Sequence, residues 1–213
     1  MAITISVNLE EFRQQVGYLG RTQLPFATAL ALSRCADTAV ATSKASLSSK
    51  FIVRNNWIAK GFRTERATKE KLIATVSHLD PFMALQEFGG EKSPLNARDV
   101  AIPVGARSTP SALTPQSKWP GKLSRHFYIT KGGNLLEFQR TGRKSKGARA
   151  KRHVDRRAGP RPLDPNLKLM YVFRTSVRIT PRLGLVETCR KVMAEDFGAN
   201  FTGFLEFALK TAK

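Results

Sequence analysis

Negative charge is what this sequence has least of. Its 213 residues include 16 Asp and Glu against 36 Lys and Arg, a formal net charge of +20. Self-repulsion on that scale works against an isolated compact monomer, so a polyanion or acidic neighbouring subunits are expected as partners. Metal-binding and redox side chains are also scarce. His78, His126 and His153 stand isolated, and the two cysteines, Cys35 and Cys189, lie far apart among apolar residues. No paired C-x-x-C or H-x-x-x-H spacing occurs, so no metal or other cofactor is expected. The thiols read as small buried hydrophobes rather than a disulfide. No apolar run approaches the roughly 18 residues that span a bilayer, and no signal pattern opens the chain. A soluble protein made in the cytosol, with no membrane partner, is expected.

Catalytic signatures are missing as well. There is no G-x-S-x-G, no H-E-x-x-H and no spaced Asp/Glu pair for two-metal chemistry. Gly142 to Gly147 has the G-x-x-x-x-G spacing of a phosphate-cradling loop, but Ala148 and Arg149 stand where Lys and Ser/Thr are required. Glu87, between Gln86 and Phe88, could pass for a catalytic acid; without a partner carboxylate it reads as a surface or helix-capping residue. The chain is not expected to be an enzyme.

What is present is a set of periodic segments. Ala2–Val7 alternates apolar and polar residues as a half-buried strand. Asn8 and Glu11 form a capping box for a helix from Leu9 to about Leu19, stopped by Gly20. A longer helix is predicted from Leu24 to Lys50 with Pro25 in its first turn. Its alanines, from Ala27 to Ala45, suit close packing against the first helix or against the same helix in another subunit. Asn55 or Asn56 caps a helical turn at Trp57 and Ile58, ended by Gly61. Lys71–His78 reads as a strand.

Glu91–Lys122 carries five prolines and predicts an extended arm or loop, relieved by an edge strand at Val100–Val104 that contains Pro103. Trp119 anchors that arm, either on its own domain or on a neighbouring surface. Arg125–Thr130 and Asn134–Gln139 flank Lys131-Gly132-Gly133 as a hairpin. Leu167–Ile179 predicts one long strand, and Leu183–Thr211 a terminal helix bent or broken at Gly198 and Gly203. Glu187, Glu195, Asp196 and Glu206 cluster on that helix, as a solvated face or as an acidic patch for the next copy in a ring.

The segment between the hairpin and the long strand organises the rest. Gln139–Arg161 holds Arg140, Arg143, Lys144, Lys146, Arg149, Lys151, Arg152, Arg156, Arg157 and Arg161 against one acid, Asp155. With nothing larger than Val154 to bury, it cannot offset the roughly 1–2 kcal/mol per residue that ordering costs. The expected arrangement is a strand, a basic loop and a returning strand. Those ten cations are the candidate binding residues, for nucleic acid or for an acidic protein surface. The tract has no aromatic side chain, so sequence-independent contact with phosphates, as in a duplex, is expected.

These segments add up to an α+β fold: a small antiparallel sheet packed by a long N-terminal helix and a C-terminal helix, with an extended Pro-rich arm and a basic loop. The expected division is 1–90 for the first strand, helices and core strands, 91–122 for the arm, and 123–213 for the sheet, the basic loop 140–161 and the terminal helix, as one domain with insertions.

Two blocks carry a resemblance. One is L-P-F-A-T-A-L-A-L-S-R-C-A from Leu24 to Ala36, leading into the basic Lys44–Lys71 region. The other is M-Y-V-F-R-T-S-V-R-I-T-P-R-L from Met170 to Leu183, followed by a helix ending A-L-K-T-A-K. In order and layout the chain resembles the minor tail protein Z, or tail completion, family of long-tailed phages. The Pro-rich arm is longer than that resemblance implies. It implies a structural virion protein at the tail or neck, assembled in the host cytoplasm, that joins tail to head and lies near the genome end. Implied partners are other copies in a ring, neighbouring tail and head–tail connector proteins, and genomic DNA. The alternative is a stand-alone, sequence-independent nucleic-acid-binding protein.

Overall fold

The computed structural model describes residues 2–6, 18–142 and 166–211. The chain is an α+β protein in two compact units. One comprises residues 1–91 and 178–213, the other residues 92–177. We refer to them as the helical unit and the sheet unit. The division differs from the expected one, because the C-terminal helix belongs with the N-terminal part of the chain and not with the large sheet.

In the helical unit, β1 (Ala2–Ser6), α1 (Tyr18–Lys50), α2 (Trp57–Lys60), β2 (Phe62–Glu65), β3 (Ile73–His78) and α3 (Phe82–Phe88) come first in the chain. β3 lies between β1 and β2, antiparallel to both, in register Ile3↔Val76 and Thr64↔Val76. Ala74, Val76 and His78 are buried on alternate positions of β3, as a one-sided sheet requires. At α2 the two asparagines divide the role: Asn56 occupies the N-cap position without a side-chain bond, and Asn55 Oδ1 accepts the Trp57 N–H at 3.2 Å.

α1 departs from expectation at its start. The capping box and the expected first helix up to residue 17 lie outside the described residues, but Gly20 is no stop: the helix is continuous from Tyr18. Pro25 therefore sits inside it and not in its first turn, removing the N–H that would bond to the carbonyl of residue 21. Leu24 and Pro25 are both buried, so tertiary packing overrides the local breaker. Ala27, Ala29, Ala31, Ala36 and Ala39 are at most 5% exposed. Among the described residues α1 packs chiefly against α4 (Leu185–Thr211), near the other end of the chain, as an ordinary core helix.

α4 runs unbroken through Gly198 and Gly203. Asn200 Nδ2 reaches Cys35 Sγ at 3.6 Å, and Lys50 Nζ donates to the Leu183 carbonyl at 2.5 Å. The core cluster spans both helices and the sheet, from Leu32 and Leu47 through Phe62, Val76 and Met83 to Leu183, Leu185 and Val192.

The chain crosses between units in β4 (Gly90–Lys92) and β9 (Val177–Ile179), which pair with each other. The long strand predicted over Leu167–Ile179 is thus two strands. β8 (Leu167–Arg174) ends before Thr175-Ser176, and β9 changes partner.

The sheet unit is a four-stranded antiparallel sheet in the order β5 (Val100–Pro103), β8, β7 (Asn134–Arg140), β6 (His126–Lys131). Pro103 stands on the edge strand, where its missing N–H breaks no ladder. Gly132 and Gly133, with φ of +57° and +75°, make the two-residue β6–β7 turn. Met170 is an extra residue between the pairs Glu137↔Tyr171 and Phe138↔Leu169. This bulge lets consecutive residues Met170 and Tyr171 both be buried. They share a small core with Ala106 and Leu123. The Pro-rich arm is correspondingly less free than an extended arm: it supplies β5, a 3₁₀ turn at Gln116–Lys118, and Ala106 to that core.

Candidate polyanion interface

The last pair of the β7–β8 ladder is Arg140↔Leu167. Beyond it Thr141 N–H and Thr141 Oγ1 both donate to the Asn166 carbonyl, at 2.8 and 3.1 Å. The strands expected before and after the tract are thus present and pair with each other, so the described residues that flank it, Thr141–Gly142 and Asn166–Leu167, lie together at one end of one sheet. Gly142 has its backbone so close to Asn166 that a Cβ there would lie 2.4 Å from the Asn166 Cγ. Of the ten cations singled out, Arg140 is described and exposed. Arg143, Lys144, Lys146, Arg149, Lys151, Arg152, Arg156, Arg157 and Arg161 lie outside the described residues.

Arg140 does not stand alone at this sheet end. Its guanidinium lies 5.3 Å above the centre of the Phe127 ring, and Phe127 stacks on Phe138 across the strands at 5.9 Å and 19°. Arg125, with φ of +53°, accepts the Arg140 N–H on its own carbonyl and donates from Nη1 to the Gly142 carbonyl. Gln139 Nε2 donates to Ser124. The arm and the exit of the hairpin are therefore braced together where the tract begins. A little further along the arm, Lys122 Nζ lies 5.5 Å over Trp119, whose indole N–H donates to the Thr114 carbonyl. Trp119 thus packs on its own arm.

One carboxylate holds this arrangement and was not singled out by the sequence. Glu137 is fully buried in the middle of β7. Its Oε1 accepts the Gly121 N–H at 3.0 Å and the Tyr128 hydroxyl at 3.3 Å, and lies 3.8 Å from His126 Nε2. His126 Nδ1 donates to the Leu123 carbonyl. Tyr171, paired with Glu137 on β8, gives its hydroxyl to the Lys118 carbonyl at 2.7 Å. Desolvation, then the Glu137 charge, pushes both phenols above their ordinary pKa, with Arg107 opposing this at Tyr171. The two hydroxyls are thereby kept as donors. Glu137 ties Gly121 and the Tyr128 hydroxyl to one oxygen while Tyr171 holds Lys118, so its part here is positional. Its sequence signal was an acid set among Leu135, Leu136 and Phe138 in the middle of the strand.

The sheet unit contains 19 Lys and Arg and only four acids, Asp99, Glu137, Asp155 and Asp164. It therefore carries +15 of the net +20, and of its two described acids, Asp99 and Glu137, Glu137 is buried.

The remaining candidates resolve differently. Glu87, in the helical unit, accepts the N–H groups of Leu185 and Val186 at 2.7 and 2.9 Å, capping α4 with both oxygens. Cys35 and Cys189 are buried and unbonded to each other. Burial raises both thiol pKa values, that of Cys189 to about 11 with help from the Glu87 charge. His78 Nε2 donates to the Ile58 carbonyl and its Nδ1 accepts the Asp80 N–H, so the ring is part of the core. Glu187, Glu195 and Glu206 are exposed along α4, with Glu195 3.9 Å from Lys191. Among the described residues no group of three or more His, Cys, Asp or Glu side chains is placed to hold a metal, and no helix is long and apolar enough to cross a membrane.

Comparison of the chain with protein-family models, with curated proteins and with solved structures gave no match.

Proposed function

We propose that this chain is a structural protein of a tailed-phage virion, a tail-completion or neck component that joins tail to head near the genome end. It works there in several copies, beside other tail and head–tail connector proteins, without catalysing a reaction. In this reading the basic tract lies against DNA or against an acidic neighbouring subunit. The observation that carries the reading is the pairing of the strands that flank the tract, at Arg140 and Leu167, in a unit bearing +15. A cationic segment held that way can be presented to a polyanion without needing a core of its own. The sequence blocks at Leu24–Ala36 and Met170–Leu183 supply the link to tail completion. The non-catalytic part is supported by Glu87, whose two oxygens are committed to helix N–H groups.

The same charge distribution supports a second reading, a free nucleic-acid-binding protein that acts outside any particle. Quantifying the chain in purified particles separates the two. A fixed, integral copy number and density at the head–tail junction are expected. Particles that lack the chain, while it binds nucleic acid tightly as a monomer or dimer in the infected cell, would overturn the virion reading in favour of the second.

A further inference from the structure

The sheet unit has two unlike faces. One carries Met170, Tyr171 and Glu137 and is closed by the arm. On the other, the ladder aligns Ile129, Leu136, Val172 and Ile102 in one row across all four strands. Phe127 and Phe138 lie beside that row on the same face, because side chains two apart share a face. None of these six side chains belongs to either buried cluster, and Ile129 remains 42% exposed. At its basic end this face presents three flat groups in succession: the Phe138 ring, the Phe127 ring stacked on it, and the Arg140 guanidinium over Phe127.

We infer that this face is a stacking platform for the unpaired bases of single-stranded nucleic acid. The inference rests on the reading of the sheet unit as a polyanion-binding body and names which polyanion its sheet accepts. A second copy of the chain is a poor occupant, since it would bring a second unit of +15 against the first. A duplex is a poor one too, because its base faces are already stacked within the helix. A single strand supplies both complements: flat rings to extend the Phe138–Phe127–Arg140 stack, and phosphates for the cations of the unit. The duplex contact expected of the tract concerns phosphates alone, and so is a separate property from this one.

Fluorescence anisotropy of the full-length protein tests this with three labelled probes of about 20 nucleotides: oligo(dT), an abasic strand of the same length, and a duplex. At about 100 mM salt the oligo(dT) should bind roughly tenfold or more tighter than the abasic strand. Phe127→Leu keeps an apolar side chain and removes the ring; it should weaken oligo(dT) binding about fivefold or more and leave the abasic strand within twofold. Arg140→Lys keeps the charge and removes the plane, and should do the same without disturbing the sheet. Equal affinity of the wild type for oligo(dT) and the abasic strand would overturn the platform while leaving phosphate binding intact. So would parallel loss of both strands in Arg140→Lys. No binding of any probe at about 50 mM salt would overturn the platform and the polyanion reading together.

Discussion

The helical unit joins fourteen buried residues in one cluster and carries +5; the sheet unit joins four and carries +15. The two balance charge against burial in opposite ways. Long-range apolar contact holds the first together: α1 meets α4 across most of the sequence, and Glu87 caps α4 from nearly a hundred residues away. The second depends on ladder hydrogen bonds, one bulge and one buried carboxylate. Its sequence also carries the tract, which leaves the sheet after Arg140 and returns before Leu167. A large core tolerates a modest charge excess, whereas a small sheet that repels itself favours a partner that neutralises it.

The sharpest break in this comparison comes from removing the cations. If six to ten of them meet phosphates, affinity for a duplex should fall about 10³–10⁵-fold between 50 and 200 mM salt. Replacing Arg143, Lys144 and Lys146 with Gln should lower the slope of log affinity against log salt by about one per contact removed, with an unchanged melting temperature. Retention of the full slope would place the charge that matters elsewhere.

Core truncation should act on the other unit. Leu32→Ala, at a fully buried site of α1, should cost about 2–5 kcal/mol in denaturant unfolding and leave anion affinity of the folded protein unchanged. A cost under about 1 kcal/mol would mean that the α1–α4 contact does not carry the unit.

The two placed carboxylates come next. Glu87→Ala should destabilise the helical unit by about 1–2 kcal/mol through the lost cap. Glu137→Ala should cost a comparable amount in the sheet unit by leaving the Gly121 N–H unpaired, and should raise hydrogen exchange over residues 118–128 first. An unchanged exchange pattern there would remove Glu137 from its positioning role.

The smallest effect is alkaline. Folding raises the Cys189 pKa from an ordinary 9.0 to about 11. Its contribution is therefore complete below pH 9 and lost as pH rises towards 11. At pH 10 the wild type should have lost about 1 kcal/mol more than Cys189→Ala has lost relative to its own value at pH 8. Neither thiol should react with an alkylating reagent at pH 8 before unfolding. Fast labelling of Cys189 would contradict its burial.

What the sequence disclosed was local and periodic. Alternation gave β1, β3 and the Gly132-Gly133 hairpin, and a run with nothing to bury marked the tract. What it did not disclose was partnership. The alternation through Thr175-Ser176 carries no sign that β9 leaves one sheet for another strand. Gly20 and Pro25 look like a stop and a start, yet burial of Leu24 and its neighbours keeps the helix continuous. Phe62–Glu65 is four residues long with no clear period, and becomes a strand because β3 offers an edge. Glu137 was passed over because residue type suggests surface, while its position on β7, opposite Tyr128 and Tyr171, makes it interior. The basic end of the site was legible as composition; the Phe127–Phe138–Arg140 ladder needs strand register to be seen.

The division of labour between the two units can be tested by hydrogen–deuterium exchange of the full-length protein with and without a saturating oligonucleotide of about 20 residues. Added protection should fall on β6, β7 and the first half of β8, around Phe127, Phe138, Arg140 and Leu167, with α1 and α4 unchanged. Protection concentrated on α1 or α4, or none in the sheet unit at saturation, would contradict it.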